Sequence, residues 1–478
     1  MKLFRKEGDS VQLIASPEES AEKGDYLLVE DPRENKGLIV QVIDVQFANV
    51  PGILEDILRD EITGSQAEGE DYDPLNVKSQ ITLLKDTRLV ICKIRGATEN
   101  GQLSQRVALP SRTSSRIAQF PIETVVRGAQ KPRAMNLGRT KSGAELVLDA
   151  KALDGRLNIV TGKKGTGKSY LSKLLVLSLV EHGAPCVVLD VNGEYVNLSK
   201  VEDGFPDASP KIEVIVPGVN FRLTLAEVGL GPFLGMLLYA LDLPGTSARV
   251  FSRIWHQLQS KNDLKFSSLG AALQKADCHE SVREAMVSRY NTVADSGLFT
   301  DEDAQSANLE RLVSELGAGG ALIVNMKNQY SVTRRMTVEI IINKLSDMLS
   351  SWKLRALFLF AEEAHLYLKE TYWEDIVTRM RHLGIFTTFV TNQPDTIKES
   401  IYRQADNIFL FNFTNEHDLE TVSRVAKIDV ESVKLIAKDL PPHHCLMIGE
   451  IVKNFPIVVN VRRLNVETMG ETRYFFRN

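Results

Sequence analysis

The octapeptide GKKGTGKS, Gly162 to Ser169, constrains this chain more than any other stretch. It satisfies G-x-x-x-x-G-K-[ST] in full. It also has the context that motif requires, with the apolar run LNIVT before it and the helix-forming run SYLSKLLVLSLVE after it. A glycine-rich loop between a strand and a helix can curl until its backbone N–H groups converge on phosphate oxygens, and the helix N-terminus adds a favourable dipole. Gly162, Gly165 and Gly167 allow the curl, and Lys163, Thr166 and Tyr170 are read with the loop as nucleotide contacts. Lys168 is placed to reach the β- and γ-phosphates and Ser169 to hold Mg²⁺. The implied ligand is ATP with Mg²⁺.

A second stretch raises a question that the loop answers. In FLFAEEAH, residues 358–365, a run apolar enough to be a buried strand ends in two adjacent carboxylates, Glu362 and Glu363. Like charges repel, and a buried carboxylate loses hydration, so something cationic has to face them. Mg²⁺ and Lys168 supply that charge. Glu362 stands where a P-loop ATPase brings an acid to the metal, usually Asp, so the longer side chain is expected to act through a water. Glu363 is then placed to activate the attacking water. Further along, FTTFVTNQP ends a strand-like run with Thr391, Asn392 and Gln393. Amides at such a tip could sense the γ-phosphate, and the same residues suit an ordinary turn before Pro394.

The rest of the chain divides by texture. Its 478 residues exceed one core and allow two or three domains. The first 125 residues carry short strand-like runs (QLIA, YLLVE, GLIVQVIDVQF, SQITLLK, RLVICKI) punctuated by turns, which suggests a small β-barrel. Within them, residues 51–74 read as a short helix and an acidic solvated loop, and residues 125–145 as a turn-rich connector. From Leu157 onward, buried-strand runs alternate with helical ones, the pattern of a parallel sheet flanked by helices. The expected fold is α/β: a barrel at 1–125, a RecA-like P-loop core at 126–225 and 318–478, and a helical insertion at 226–317, closed by the strands CLMIG and FPIVVN.

Composition excludes some functions. Cys92, Cys186, Cys278 and Cys445 are too scattered for a zinc site or a disulfide framework. His443 and His444 are adjacent near a loop, without metal-ligand spacing. MKLFRKEGDS lacks the apolar core of a signal peptide, and no apolar run approaches the roughly 20 residues that span a bilayer, so a cytoplasmic protein with no membrane partner is expected. With a net charge of −5, any DNA contact has to come from a local basic surface.

With these pieces in order, the chain resembles the HerA branch of the HerA–FtsK ATPases. VVLDVNGEY, 187–195, resembles the family's D-P-H-G-E-Y motif, AEEAH its Walker B, and MRHLGIFTTFVTNQP, 380–394, its G-R-K-F-G…T-Q-R-P block. LGRTKSGAELVLD resembles the family's lead-in to the P-loop. The chain departs at Asn192, where the family has histidine, and at Asn392-Gln393, where it has Gln-Arg; the sensor amide is left open between these two. The resemblance implies a homohexameric ring with ATP between subunits and double-stranded DNA in the central channel. It makes Arg381 a candidate arginine finger acting in trans, and Arg156 a second candidate at a subunit boundary. Relatives pair with nucleases or with sirtuin-like NADase effectors, in DNA-end resection or antiviral defence, and the N-terminal barrel is the implied docking surface.

Two functions share this active site. One is an ATP-driven DNA translocase or helicase, for which Lys200, Lys327, Arg334 and Arg335 are the available loop cations. The other is an ATPase scaffold that assembles and regulates an effector without moving DNA, which suits the acidic charge balance better. Adjacent Glu363 disfavours a P-loop kinase.

Overall fold

A computed structural model describes residues 1–48, 86–104, 106–127, 133–200, 211–317, 319–367, 376–413, 415–426, 428–464 and 466. The helix and acidic loop expected at 51–74, and the run SQITLLK at 79–85, lie outside the described residues.

The N-terminal strands are β1 Lys2–Glu7, β2 Ser10–Ala15, β3 Tyr26–Asp31, β4 Lys36–Phe47, β5 Arg88–Glu99, β6 Gln102–Ser104 and β7 Arg116–Gln119. They form one antiparallel sheet in the order β1-β2-β5-β4-β3-β7, with β6 on β5. Along β2, buried and half-buried residues alternate, as they do when one face of an antiparallel sheet meets a core. Two register shifts along the β4–β5 ladder bend the long strands and curl the sheet. Its end strands β1 and β7 come close without a hydrogen-bonded ladder. The expected barrel is therefore, among the described residues, a curled sheet open along one seam.

The second sheet contains β8 Ala134–Thr140, β9 Glu145–Asp149, β10 Asn158–Thr161, β11 Pro185–Asp190, β12 Ile212–Ile215, β13 Gly320–Asn325, β14 Leu357–Glu362, β15 Ile385–Thr391, β16 Asn407–Leu410, β17 His444–Gly449 and β18 Ile457–Val461. Its order is β12-β13-β11-β14-β15-β10-β16-β17-β18-β8-β9. Neighbours run parallel from β12 to β16 and antiparallel beyond. β10 and β14 are buried throughout, the signature of strands covered on both faces. Alternate residues serve opposite layers. Val187, Leu189, Leu357 and Leu359 face one core, and Val188, Phe358 and Phe360 face the other.

Helix α1, Lys168–Glu181, lies between β10 and β11, and residues around its whole circumference are buried. Between β12 and β13 run helices α2 Gly245–Ser260, α3 Phe266–Gln274 and α4 Glu280–Asp295, packed around Phe233, Phe251, Trp255 and Phe299. Helix α5, Ser331–Ser350, follows β13, and α6 Glu416–Val425 and α7 Val430–Ala437 lie between β16 and β17.

The turn-rich connector expected at 125–145 is in part strand. It supplies all of β8, which pairs with both β9 and β18 and so extends the main sheet. A Cβ on Gly138 would stand 1.9 Å from the Asn460 carbonyl oxygen, so only glycine allows this close approach to β18. The glycines and charges of the segment look like turn residues in sequence, which hid the strand. Strand β12 is not legible in the sequence, because its 4 residues leave little periodicity.

The curled sheet packs on the C-terminal part of the core. Tyr26 Oη and Gln41 Nε2 donate to the Pro456 carbonyl at 2.9 and 2.8 Å. The buried Arg95 guanidinium reaches Asp429 at 2.7 Å and Ser432 Oγ at 2.6 Å. Among the described residues no helix is long and apolar enough to cross a membrane.

Candidate nucleotide site

The glycine-rich loop joins β10 to α1 at the carboxyl ends of the parallel strands. Gly165 and Gly167 have φ of 80° and 115°, left-handed values that favour glycine. At Gly162 the reason is steric, since a Cβ there would sit 2.5 Å from Phe411 Cβ. The loop is tied down at both ends: the Lys163 N–H donates to the Asn412 carbonyl at 2.8 Å, and the Thr166 carbonyl accepts from the His443 N–H at 2.9 Å. Lys168 Nζ folds back on the Lys163 carbonyl at 3.0 Å. Burial lowers the pKa of Lys168, opposed by the nearby charges of Glu363, Glu362 and Glu194. Ser169 follows on the first turn of α1, half-buried. Tyr170 turns another way: its hydroxyl accepts the Leu464 N–H, and its ring meets His443 edge-on with centroids 5.6 Å apart.

The two glutamates sit at the tip of β14 and differ sharply. Glu362 is 1% exposed and accepts a hydrogen bond from Tyr195 Oη. Burial pushes its carboxyl up to about 8, and the Tyr195 hydrogen bond works against that rise. Glu363 has φ 45°, a left-handed conformation rare for a residue with a Cβ and typical of strained functional positions. Its N–H donates to the Val390 carbonyl at 2.7 Å, and its Oε2 accepts from the Asn392 N–H at 3.4 Å and lies 3.5 Å from His365 Nδ1. The kink swings the carboxylate across to the tip of β15. That strand lies between β14 and β10, with Thr161 opposite Thr391 and Glu362 opposite Val390. Thr391 Oγ1 accepts from the Gln393 N–H at 3.1 Å, while Gln393 is exposed and Asn392 half-buried beside the carboxylate.

Side chains that the sequence did not single out complete the site. Asp190, fully buried at the end of β11, accepts N–H bonds from Gly193 at 2.7 Å and from Glu194 and Tyr195 at 3.0 Å. This turn aims Tyr195 at Glu362. Lys173 of α1 lies 5.6 Å from the Tyr195 ring centroid and 3.9 Å from Glu194. Asp190 and Tyr195 stand within VVLDVNGEY, and a lysine inside the apolar run SKLLV was a signal for Lys173.

The donor set suits Mg²⁺. A hydroxyl and a carboxylate are hard oxygen ligands, and Mg²⁺ takes few protein ligands, drawing on phosphates and water for the rest. Ser169 and Glu362 are the residues that would hold it. Tyr195→Phe is expected to raise the Mg²⁺ concentration for half-maximal ATP hydrolysis about 10- to 100-fold, with the rate recovering at saturating Mg²⁺. An unchanged Mg²⁺ titration would remove Tyr195 from this role.

Arg381 and Arg156 lie elsewhere. Arg381 donates to the Gly155 carbonyl at 2.8 Å and pairs with Asp406 at 3.0 Å. Arg156 pairs with Glu450 at 2.5 Å and lies 3.7 Å from Asp406, which also accepts the Leu157 N–H at 2.9 Å. All of these groups sit at the amino end of β10, roughly 13 Å along its four residues from the phosphate loop. Arg381, Arg355, His382 and Lys151 border an open cleft of about 1170 Å³ there.

Fold and site together define a P-loop ATPase: a mostly parallel sheet, a phosphate loop at its carboxyl edge, and paired acids one strand removed. The family described as "Helicase HerA, central domain" matches residues 135–371. A curated relative, the DNA double-strand break repair helicase HerA of Sulfolobus acidocaldarius, is 22% identical over 436 residues, covering 83% of this chain and 80% of that protein. Among solved structures, the bacterial conjugative coupling protein TrwB aligns with a TM-score of 0.53 and 14% identity over 71% of this chain and 90% of that one. VirB4 of Thermoanaerobacter pseudethanolicus gives 0.53 and 14% over 70% and 98%. The chain is thus similar to the HerA ATPases, most directly over residues 135–371, and its site is that of an ATP-hydrolysing enzyme.

Proposed function

We propose that this chain is the subunit of a homohexameric, ATP-driven ring that translocates on double-stranded DNA beside a partner nuclease or other effector. The carrying observation is that Arg381 and Arg156 stand at the far end of the sheet from the chain's own phosphate loop. Neither can serve that loop in cis. A second copy that sets its amino-end cleft against the loop would bring Arg381 to the γ-phosphate, so the site is complete only between subunits. Mg²⁺, when bound, neutralises charge on the β- and γ-phosphate oxygens. Lys168 binds the same oxygens, Glu363 takes the proton of the attacking water, and Asn392, beside Glu363, is the better placed of the two sensor amides.

In this reading residues 1–125 form the docking domain, 226–317 a helical insertion, and 126–225 with 318–478 the motor core. The S. acidocaldarius relative's role in double-strand break repair supports DNA as the track. Exposed Phe4, Phe47, Leu103, Val107 and Leu109 on the N-terminal sheet and its margin support docking of a partner protein there.

The scaffold reading has its own support. Arg334 and Arg335 stand half-buried at the start of α5, and the Arg334 guanidinium turns back onto the Met326 and Lys327 carbonyls at 3.1 and 3.3 Å, so that exposed Lys327 is the cation the loop itself offers. Steady-state ATP hydrolysis with and without linear duplex DNA, across a salt series, separates the two. A translocase gives several-fold stimulation that fades as salt rises. Turnover indifferent to DNA at every salt concentration would reject translocation in favour of the scaffold.

A further inference from the structure

The pair His443-His444 stands apart from the acids at the tip of β14, yet His443 lies against the phosphate loop. Its N–H donates to the Thr166 carbonyl, and its own carbonyl accepts from Val461 at 2.9 Å. Its φ is 60°, so the backbone is held left-handed by these bonds. A Cβ on Gly167 would come within 3.1 Å of His443 Nδ1, so the ring lies over the loop's last glycine. His443 is nevertheless exposed, as are Pro441 and Pro442 before it. An exposed ring with a fixed, strained backbone at the mouth of a binding loop has its position imposed on it.

The strand order says what the ring faces. Lys168 and the acids of β14 mark the γ-phosphate side of β10. A triphosphate wrapped in the loop with its γ end there leads its nucleoside out on the opposite side, toward β16 and β17. The segment that leads into β17 is the one that carries His443.

We infer that His443, backed edge-on by Tyr170, is the wall on which the base of the bound nucleotide stacks. This also gives Tyr170 its place: a hydroxyl fixed by Leu464 and a ring that props the histidine. The inference rests on the ATP-binding reading of the loop and adds to it the base-side contact.

Calorimetric titration of ATP and of inorganic tripolyphosphate, each without Mg²⁺, into the full chain and its His443→Ala and His443→Phe variants tests this. His443→Ala should weaken ATP about 5- to 50-fold, the size of one lost base–aromatic stack, and leave tripolyphosphate unchanged. His443→Phe should restore ATP affinity to within about 3-fold, because a benzene ring offers the same stacking face. The left-handed backbone strains alanine and phenylalanine alike, so strain does not separate the two variants from each other. Equal loss of ATP and tripolyphosphate in His443→Ala would mean that the residue only shapes the loop, and unchanged ATP affinity would mean the base lies elsewhere. Either result overturns the inference while the ATP site stands. Failure of the wild-type chain to bind either ligand would overturn both.

Discussion

Glu363→Gln is expected to bind ATP with wild-type affinity and hydrolyse it about 10²- to 10⁴-fold more slowly, the range a positioned general base contributes. Glutamine keeps the shape of the side chain and can still accept the Asn392 N–H, so the tip of β15 stays in place. It loses only the capacity to take a proton. The left-handed backbone at residue 363 is the same for both side chains, and thermal stability should not change. Glu363→Gly carries a different expectation. Glycine adopts that conformation freely, so the variant should gain stability, on the order of 1 kcal/mol, while losing turnover. Strain retained at a catalytic position in exchange for activity has that signature. The checks are single-turnover hydrolysis, nucleotide titration and thermal melts on the same preparations. A Glu363→Gln kcat within a few-fold of wild type would move the base elsewhere, and Glu194, whose charge also reaches Lys168, is the first place to look.

Lys168→Ala is expected to remove tight ATP binding altogether. The ammonium is buried and meets two kinds of partner, the Lys163 carbonyl and the field of three glutamates. Burial costs it solvation, and a triphosphate offers far more charge in return than one carbonyl. The readout is the melting temperature with and without nucleotide. A ligand at about 100 times its Kd stabilises the folded state by about 2.7 kcal/mol, and that increment should vanish in the variant. The unliganded melt should remain cooperative, because the loop is held by the Asn412 and His443 backbone bonds, which do not involve the lysine side chain. An undiminished nucleotide shift in Lys168→Ala would mean that the loop's N–H groups alone hold the phosphates.

Much of this site is written in short stretches. Eight residues suffice for a loop that curls its N–H groups inward, because the glycines needed are local and the flanking strand and helix announce themselves by their own periods. The pair Glu362-Glu363 is equally local: two acids after a run of apolar residues imply a cation on charge grounds alone. Sequence leaves the proposed sensor open between Asn392 and Gln393. The proposal of Asn392 rests on its backbone N–H meeting Glu363, a contact that joins the tips of different strands. The N-terminal runs are legible as strands wherever they are described, yet whether they close into a barrel depends on β1 and β7, which lie more than a hundred residues apart.

The proposed chemistry is local and legible in the chain alone: a phosphate loop, two adjacent acids, and a parallel sheet to carry them. The company each group keeps came only with the folded arrangement. Buried parallel strands read alike, as runs of Val, Ile, Leu and Phe, so nothing local says that β15 lies between β10 and β14 or that β11 stands beside β14. That order is set by how the crossover helices pack. It is the order that brings Tyr195 to Glu362 across 167 positions of sequence, sends Arg381 and Arg156 to Asp406 at the opposite end of the sheet, and lays His443 over Gly167. Short-range spacing encodes what a residue can do, and long-range packing, paid for in chain entropy, decides what it does it to.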